Sequence, residues 1–233
     1  MVTRHQQIDF ASGATVFPGG KVNVGDEDPR VRDCCSGVDG LSNEQLSLRV
    51  AAIREAFEES GILLARRRGE SAFIDKTLAA DIGARYRTKL DKAEIGIHTM
   101  LAAEDLELAC EHLIPFAHWI TPTFVAKRFN THFFVAAAPT EQIAIHDGKE
   151  TIDASWINPI EALSQAQSGA RTMVVATKMN VHKLAASNSV AAALGVARSQ
   201  PVVTVVPELV QSNGQRRLRI PVEAGYGQTE IEL

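Results

Sequence analysis

The chain has 233 residues, 45% apolar and 22% charged, with a formal net charge of −4 at pH 7. That length suits one elaborated domain, or a domain with a small appendage, and an acidic balance without a basic cluster speaks against a nucleic-acid surface. Three cysteines make no paired framework and show no Cys-x-x-Cys or Cys/His spacing, which argues against both a disulfide scaffold and a structural zinc site.

No apolar signal region opens the chain and no run reaches the length of a membrane span, so a cytoplasmic protein with free thiols and no membrane partner is expected. The C-terminal Ile231-Glu232-Leu233 is not a peroxisomal Ser-Lys-Leu signal. Thr15-Val16-Phe17 reads as a short strand ending in Pro18-Gly19-Gly20. Residues 27–42 are polar and rich in Gly, Asp and Ser, and read as a loop. Ser42-Asn43-Glu44-Gln45 then has the spacing of a capping box, and Gly61 sits where a left-handed residue stops a helix, so a helix is predicted from Asn43 to Ser60. Val50, Ile53, Phe57 and Leu64 give it an apolar stripe, while Glu55, Glu58 and Glu59 project into another sector. Like charges so placed repel by about 0.2–0.5 kcal/mol per pair when exposed. Such a cluster either sits on a wet surface or is neutralised by a hard divalent cation, which prefers carboxylate oxygens. The flanking glycines favour the cation.

Further along, Gly61-Ile62-Leu63-Leu64-Ala65 reads as a strand, with Arg66-Arg67-Arg68 capping its edge in preference to gripping a polyanion. Residues 73–90 and 95–112 read as helices, separated by Asp91-Lys92. Residues 115–121, 131–137 and 151–157 read as strands. Asn158-Pro159 starts a helix, with Asn as cap and Pro at the first position; 172–185 and 189–197 follow as two more. The runs Val202-Val203-Thr204-Val205-Val206 and Arg217-Leu218-Arg219-Ile220 suggest a β-hairpin. The seven histidines read as structural, with His118 and His132 close to a cleft, and Tyr226, Phe133 and Phe134 read as core more than as a base-stacking platform.

Arg54-Glu55-Ala56-Phe57-Glu58-Glu59-Ser60-Gly61-Ile62 resembles the second half of the Nudix box, G-x5-E-x7-R-E-U-x-E-E-x-G-U, where U is a bulky apolar residue. Gly19-Gly20-Lys21-Val22-Asn23-Val24-Gly25-Asp26 resembles the first half, with Asp26 one methylene shorter than the usual glutamate. The intervening stretch, 27–53, is several times longer than the pattern allows. An interrupted box of this kind, followed by Leu48-Arg49-Val50-Ala51-Ala52-Ile53, is similar to the branch containing coenzyme A diphosphatase-like proteins. His118-Trp119-Ile120-Thr121-Pro122, Arg128-Phe129-Asn130-Thr131-His132-Phe133-Phe134-Val135 and Ala154-Ser155-Trp156-Ile157-Asn158-Pro159 extend the likeness, over roughly 4–185.

The resemblance implies an α/β fold, a Nudix-type α/β/α sandwich with a mixed sheet, plus a helical insertion and C-terminal helices. It is expected as a single domain over 1–233, with a box-interrupting loop at 27–42, a helical insertion at 73–112 and a helical and hairpin extension at 172–233. It also implies a Mg²⁺- or Mn²⁺-dependent pyrophosphohydrolase acting on a small nucleotide, a nucleoside diphosphate linked to a second group. By the same resemblance, Glu55, Glu58 and Glu59 hold the metal with the backbone of Gly20, which no side chain obstructs. Arg54 holds the glutamates in place, and Gly19, Asp26 and Gly61 support the site. Glu58 is the first choice as general base and Glu150 the second. Coenzyme A or an acyl-coenzyme A is the first substrate expectation; ADP-ribose or a dinucleotide is the alternative. A non-catalytic nucleotide-sensing module is a third reading, weakened because all three glutamates are kept. Relatives in the branch carry a strand before the segment that 4–20 resembles. Without it a neighbouring edge would be open to a second copy, which makes a homodimer an expectation.

Overall fold

The computed structural model describes residues 1–7, 11–125, 127–212 and 214–232; Leu233 of the C-terminal tripeptide lies outside them. In chain order the regular elements are β1 (Val2–Arg4), β2 (Thr15–Val16), β3 (Cys35–Ser36), α1 (Asn43–Ser60), β4 (Ala65–Arg67), α2 (Lys76–Asp91), α3 (Ile97–Glu104) and β5 (Leu106–Ala109). There follow β6 (Ile114–Ile120), β7 (Asn130–Val135), β8 (Thr151–Ala154), α4 (Pro159–Gln167), α5 (Val175–Ala185) and α6 (Val190–Ser199). The chain closes with β9 (Thr204–Val205), β10 (Glu208–Ser212), β11 (Gln215–Arg219) and β12 (Glu230–Glu232). Contacts divide the chain into two compact units. The first comprises Met1–Leu113, Ala137–Ile157 and Arg171–Val174; the second comprises Ile114–Ala136, Asn158–Ala170 and Val175–Leu233. None of the described helices is long and apolar enough to cross a membrane.

The first unit is built around α1. Its start is a complete capping box: the Ser42 hydroxyl accepts from the Gln45 amide at 3.1 Å, and the Gln45 side chain accepts from the Ser42 amide at 3.0 Å. Its end is Gly61, whose φ of 73° is open to glycine at little cost. Val50, Ile53 and Phe57 are fully buried, each worth about 1.5–3 kcal/mol of apolar transfer, and they set the rotation of the helix. Two three-stranded sheets accompany it, in the orders β2-β1-β8 and β3-β5-β4. The second is mixed, with β3 parallel and β4 antiparallel to β5.

Several expectations are corrected here. Residues 27–42 are more than a loop: Pro29–Cys34 forms a 3₁₀ turn with Val31 and Cys34 buried, and β3 then joins β5. The Arg32 guanidinium ties this insertion down through the carbonyls of Val38 and Leu41. Residues 61–64, of which Ile62, Leu63 and Leu64 are buried, are not strand, because the Leu63 amide is taken by the side chain of Gln142; the strand starts at Ala65. The second half of the helical insertion is a strand. The left-handed Asp105 (φ 51°) ends α3, and Leu106 and Leu108 then alternate into the core opposite β4. Arg66, within the basic run, pairs with Glu107 and Glu111 across this sheet. Residues 2–4 form β1, which lies between β2 and β8. β8 stops at Ala154, leaving Trp156 66% exposed.

The second unit carries the sheet β7-β6-β9 and the meander β10-β11-β12. Val205 belongs to β9, which runs parallel to β6, so the hairpin forms between β10 and β11 and not from the 202–206 run. Trp119, Tyr226, Phe116, Met179 and Ile220 make its core. His118 and His132 face each other across β6 and β7, rings stacked with centroids 4.0 Å apart. Asn158 caps α4 as expected.

Candidate active site

The carboxylate face of α1 is not a solvated surface. Glu58 is 8% exposed and Glu59 3%. At its centre Arg54 spends all five N–H groups. Nε and Nη2 hold both oxygens of Asp26 at 2.8 and 2.9 Å, and Nη2 also reaches the Lys21 carbonyl at 2.8 Å. Nη1 donates to Glu55 Oε1 at 2.9 Å and to Glu58 Oε2 at 2.8 Å. A bidentate pair with Asp26 fixes the plane of the guanidinium, and this in turn aims the two glutamates. Asp26 is itself positioned by the Asn23 amide at 2.9 Å.

The glycines meet this face directly. The Gly19 amide donates to Glu59 Oε2 at 3.0 Å. A Cβ on Gly20 would collide with the Glu55 carboxylate, so a side chain there would have to push that carboxylate away from its place beside Arg54. Gly61 ends the helix beyond the cluster.

Four carboxylates (Asp26, Glu55, Glu58, Glu59) face two guanidiniums, Arg54 and the more distant Arg4, whose Nη1 lies 4.0 Å from Glu59. Two buried oxygens, Glu58 Oε1 and Glu59 Oε1, have no hydrogen-bond partner. The electrostatics follow. Burial, opposed by Arg54 and reinforced by the charge of Glu55, pushes Glu58 up to about 7. Burial also pushes Glu59 up to about 8, against the Gly19 hydrogen bond and with the charges of Glu55 and Glu150 adding to it. Glu55 is raised chiefly by burial, with Arg54 opposing. Among the described residues no three acidic, histidine or cysteine side chains converge as a ready metal cage. Arg54 has turned one oxygen of Glu55 and one of Glu58 toward itself.

Glu150 is exposed, in a turn that the Asp147 carboxylate ties through the amides of Lys149, Glu150 and Thr151. Its charge reaches the cluster, since it raises both Glu55 and Glu59. Three further residues hold the site in place that sequence reasoning did not single out. Arg87 donates to the Glu58 carbonyl at 2.7 Å, and Thr151 Oγ1 to the Glu59 carbonyl at 3.2 Å. The Ile145 amide takes the Ser60 carbonyl at 2.7 Å. Together they satisfy carbonyls left free at the helix end, and the cation lies at the negative pole of the helix. No local pattern announces them, because each comes from a segment distant in sequence.

A glycine loop locked against a buried glutamate helix on an α/β scaffold defines a class, and the comparisons agree with it. Residues 37–177 match the model of the NUDT19 Nudix domain, which covers more than half of the chain. The chain belongs to the Nudix family. It is 24% identical to the acyl-coenzyme A diphosphatase NUDT19 of Xenopus laevis over 72% of this chain and 54% of that protein. It is 28% identical to the putative nudix hydrolase 7 of Caenorhabditis elegans over 72% of this chain and 49% of that one. It thus spans about half the length of these curated relatives. The crystal structure of a Nudix hydrolase from Alicyclobacillus acidocaldarius superposes with a TM-score of 0.72 at 26% identity, over 87% of each chain. The family match begins after Gly19, Gly20 and Asp26. The first half of the box therefore rests on its contacts with Arg54, Glu55 and Glu59.

Proposed function

We propose that the chain is a divalent-metal-dependent pyrophosphohydrolase that cuts a nucleoside diphosphate linked to a second group, with coenzyme A or an acyl-coenzyme A as substrate. The observation that carries this reading is the pair of buried oxygens, Glu58 Oε1 and Glu59 Oε1, that accept no hydrogen bond, the second with only Arg4 facing it across 4.0 Å. Leaving such atoms without a partner costs about 1–3 kcal/mol each or more, which a folded chain sustains when a ligand completes them. The donor set is all oxygen and carries an excess of negative charge over Arg54 and Arg4, which suits Mg²⁺ or Mn²⁺.

Glu55, Glu58 and Glu59 would hold the ion beside Gly20, where a side chain would intrude. When bound, the metal offsets phosphate charge, activates water and orients the leaving group. Arg54 keeps the glutamates from collapsing onto one another and stays off the substrate, since its donors are all in use. Glu58 serves as proton acceptor: with its carboxyl pushed to about 7, it is poised to take a proton near neutral pH. Glu150 is the second choice, exposed but electrostatically coupled to Glu55 and Glu59. The likeness to the frog acyl-coenzyme A diphosphatase supports this substrate over ADP-ribose or a dinucleotide.

The test is a release screen with Mg²⁺ across coenzyme A, an acyl-coenzyme A, ADP-ribose, NADH and nucleoside triphosphates. Formation of 3′,5′-ADP and a phosphopantetheine from coenzyme A is the expected result. Turnover of triphosphates alone would overturn the substrate assignment, and turnover unaffected by chelation would overturn the metal.

A further inference from the structure

A cavity of about 490 Å³ lies within the first unit between α2, the end of α1 and the 142–149 segment. That volume falls in the range of small-molecule sites, about 300–1,000 Å³. Glu58 lines it, so one wall belongs to the acidic cluster, and Glu58 Oε1 is the buried atom without a partner. The rest of the wall has a different character. Ala79, Ala80, Gly83 and Ala84 form a face of α2 with almost no side-chain bulk, and Ile143 and Ile145, 65% and 55% exposed, stand opposite. Exposed isoleucines facing a groove of small residues leave apolar surface uncovered that a ligand can cover.

The lining also says which kind of group fits. It has no Phe, Tyr or Trp on which a nucleobase would stack, and its one ring is the His146 imidazole at the 142–149 wall. Its charges are mostly used within the protein: Lys149 pairs with Asp91, Arg87 is committed to two backbone carbonyls, and Asp147 is committed to its own turn. What remains are the Lys76 ammonium, the Thr88 hydroxyl and the His146 imidazole, beside an apolar floor. A flexible, uncharged chain with amide carbonyls matches this surface.

We infer that this groove is the subsite for the pantetheine arm of a coenzyme A-type substrate, so that α2 reads the group attached to the diphosphate and Glu58 marks where the arm meets the reaction centre. The inference rests on the coenzyme A reading above but is tested apart from it. Ala84 and Ala80 are exposed and outside the catalytic set, so Ala84→Trp fills the groove without disturbing the core, and Ala80→Leu serves as a second filling variant.

Free pantetheine, which has no phosphates and needs no metal, is titrated into the full chain and followed by amide chemical shifts. Shifts confined to residues 79–88 and 142–147, and weakened about tenfold or more by Ala84→Trp, are expected. In steady-state assays the same variant raises KM for coenzyme A about tenfold or more while kcat stays within about twofold, because the arm and not the diphosphate is displaced. Pantetheine binding elsewhere, or equally well to wild type and both filling variants, overturns the inference even if coenzyme A is hydrolysed. Pantetheine bound in the groove without any coenzyme A turnover upholds the subsite and overturns the function proposed for the cluster.

Discussion

Two buried polar networks, one in each unit, are built on opposite terms. In the second unit Trp119 Nε1 donates to the Tyr226 hydroxyl at 2.7 Å, and that hydroxyl donates to Asn180 Oδ1 at 2.8 Å. All three groups are neutral, and burial raises the Tyr226 phenol to about 12, far from titrating. In the first unit Arg54 binds three carboxylates while one oxygen each of Glu58 and Glu59 accepts no hydrogen bond. Each network leaves buried atoms without a hydrogen bond, Asn180 Nδ2 in the second unit and one oxygen each of Glu58 and Glu59 in the first, so what divides them is charge: stranding part of an ionised group costs more than stranding a neutral amide.

The largest effect should come from removing the hub of the charged network. Arg54→Ala leaves the buried Asp26 and Glu58 carboxylates without their cation, and about 3–5 kcal/mol of stability should go with it, read by urea unfolding. Arg54→Lys keeps the charge but not the five-pronged fork, so it should recover only part of that loss. An Arg54→Ala protein as stable as wild type would show that Arg54 is a bystander.

Glu59→Gln separates function from fold. It removes one buried charge that burial disfavours, so metal-free stability at pH 8.5 should not fall, while turnover should drop by about 100-fold or more in initial-rate assays. Full activity in this variant would remove Glu59 from the reaction. In the second unit the sign reverses: Tyr226→Phe strands the Trp119 N–H and the Asn180 oxygen, at a cost of about 1–3 kcal/mol in denaturant unfolding. A neutral outcome there would mean that the triad contributes nothing beyond its packing.

The smallest effect is a pH dependence with a defined sign. The folded carboxyls of Glu58 and Glu59 lie near 7 and 8, above their ordinary value of 4.5, so the folded state holds their protons more tightly than the unfolded chain. Their contribution is fully present below about 4.5 and is lost as pH rises through 7 to 8. A divalent cation prefers the ionised pair, so 10 mM Mg²⁺ should raise Tm by a few degrees at pH 8.5 and by less at pH 6. Equal shifts at both pH values in a scanning thermal assay would contradict the link between these carboxyls and the metal.

Much of this was legible in the sequence where the signals are local. The capping box, Gly61 and the apolar stripe set α1 to the residue, because caps and periodicity act within a few positions. Illegible were the features decided by distant partners. Gln142 takes the backbone of Leu63 that would otherwise pair as strand, and Leu106 and Leu108 adopt strand pairing with β4 inside what reads as a helix. The polar composition of 27–42 concealed a segment anchored by Val31 and Arg32. In the site, spacing alone grouped Glu55, Glu58 and Glu59, but their burial, and the hold of Arg87 and Thr151 on the helix end, depend on tertiary packing.

Manganese binding followed by electron paramagnetic resonance at pH 8 tests the central claim most directly. Saturable uptake by the wild-type chain, about tenfold or more weaker in Glu59→Gln, is the predicted result. Absence of uptake by wild type, or the same affinity in both proteins, would contradict a shared cation on this acidic face.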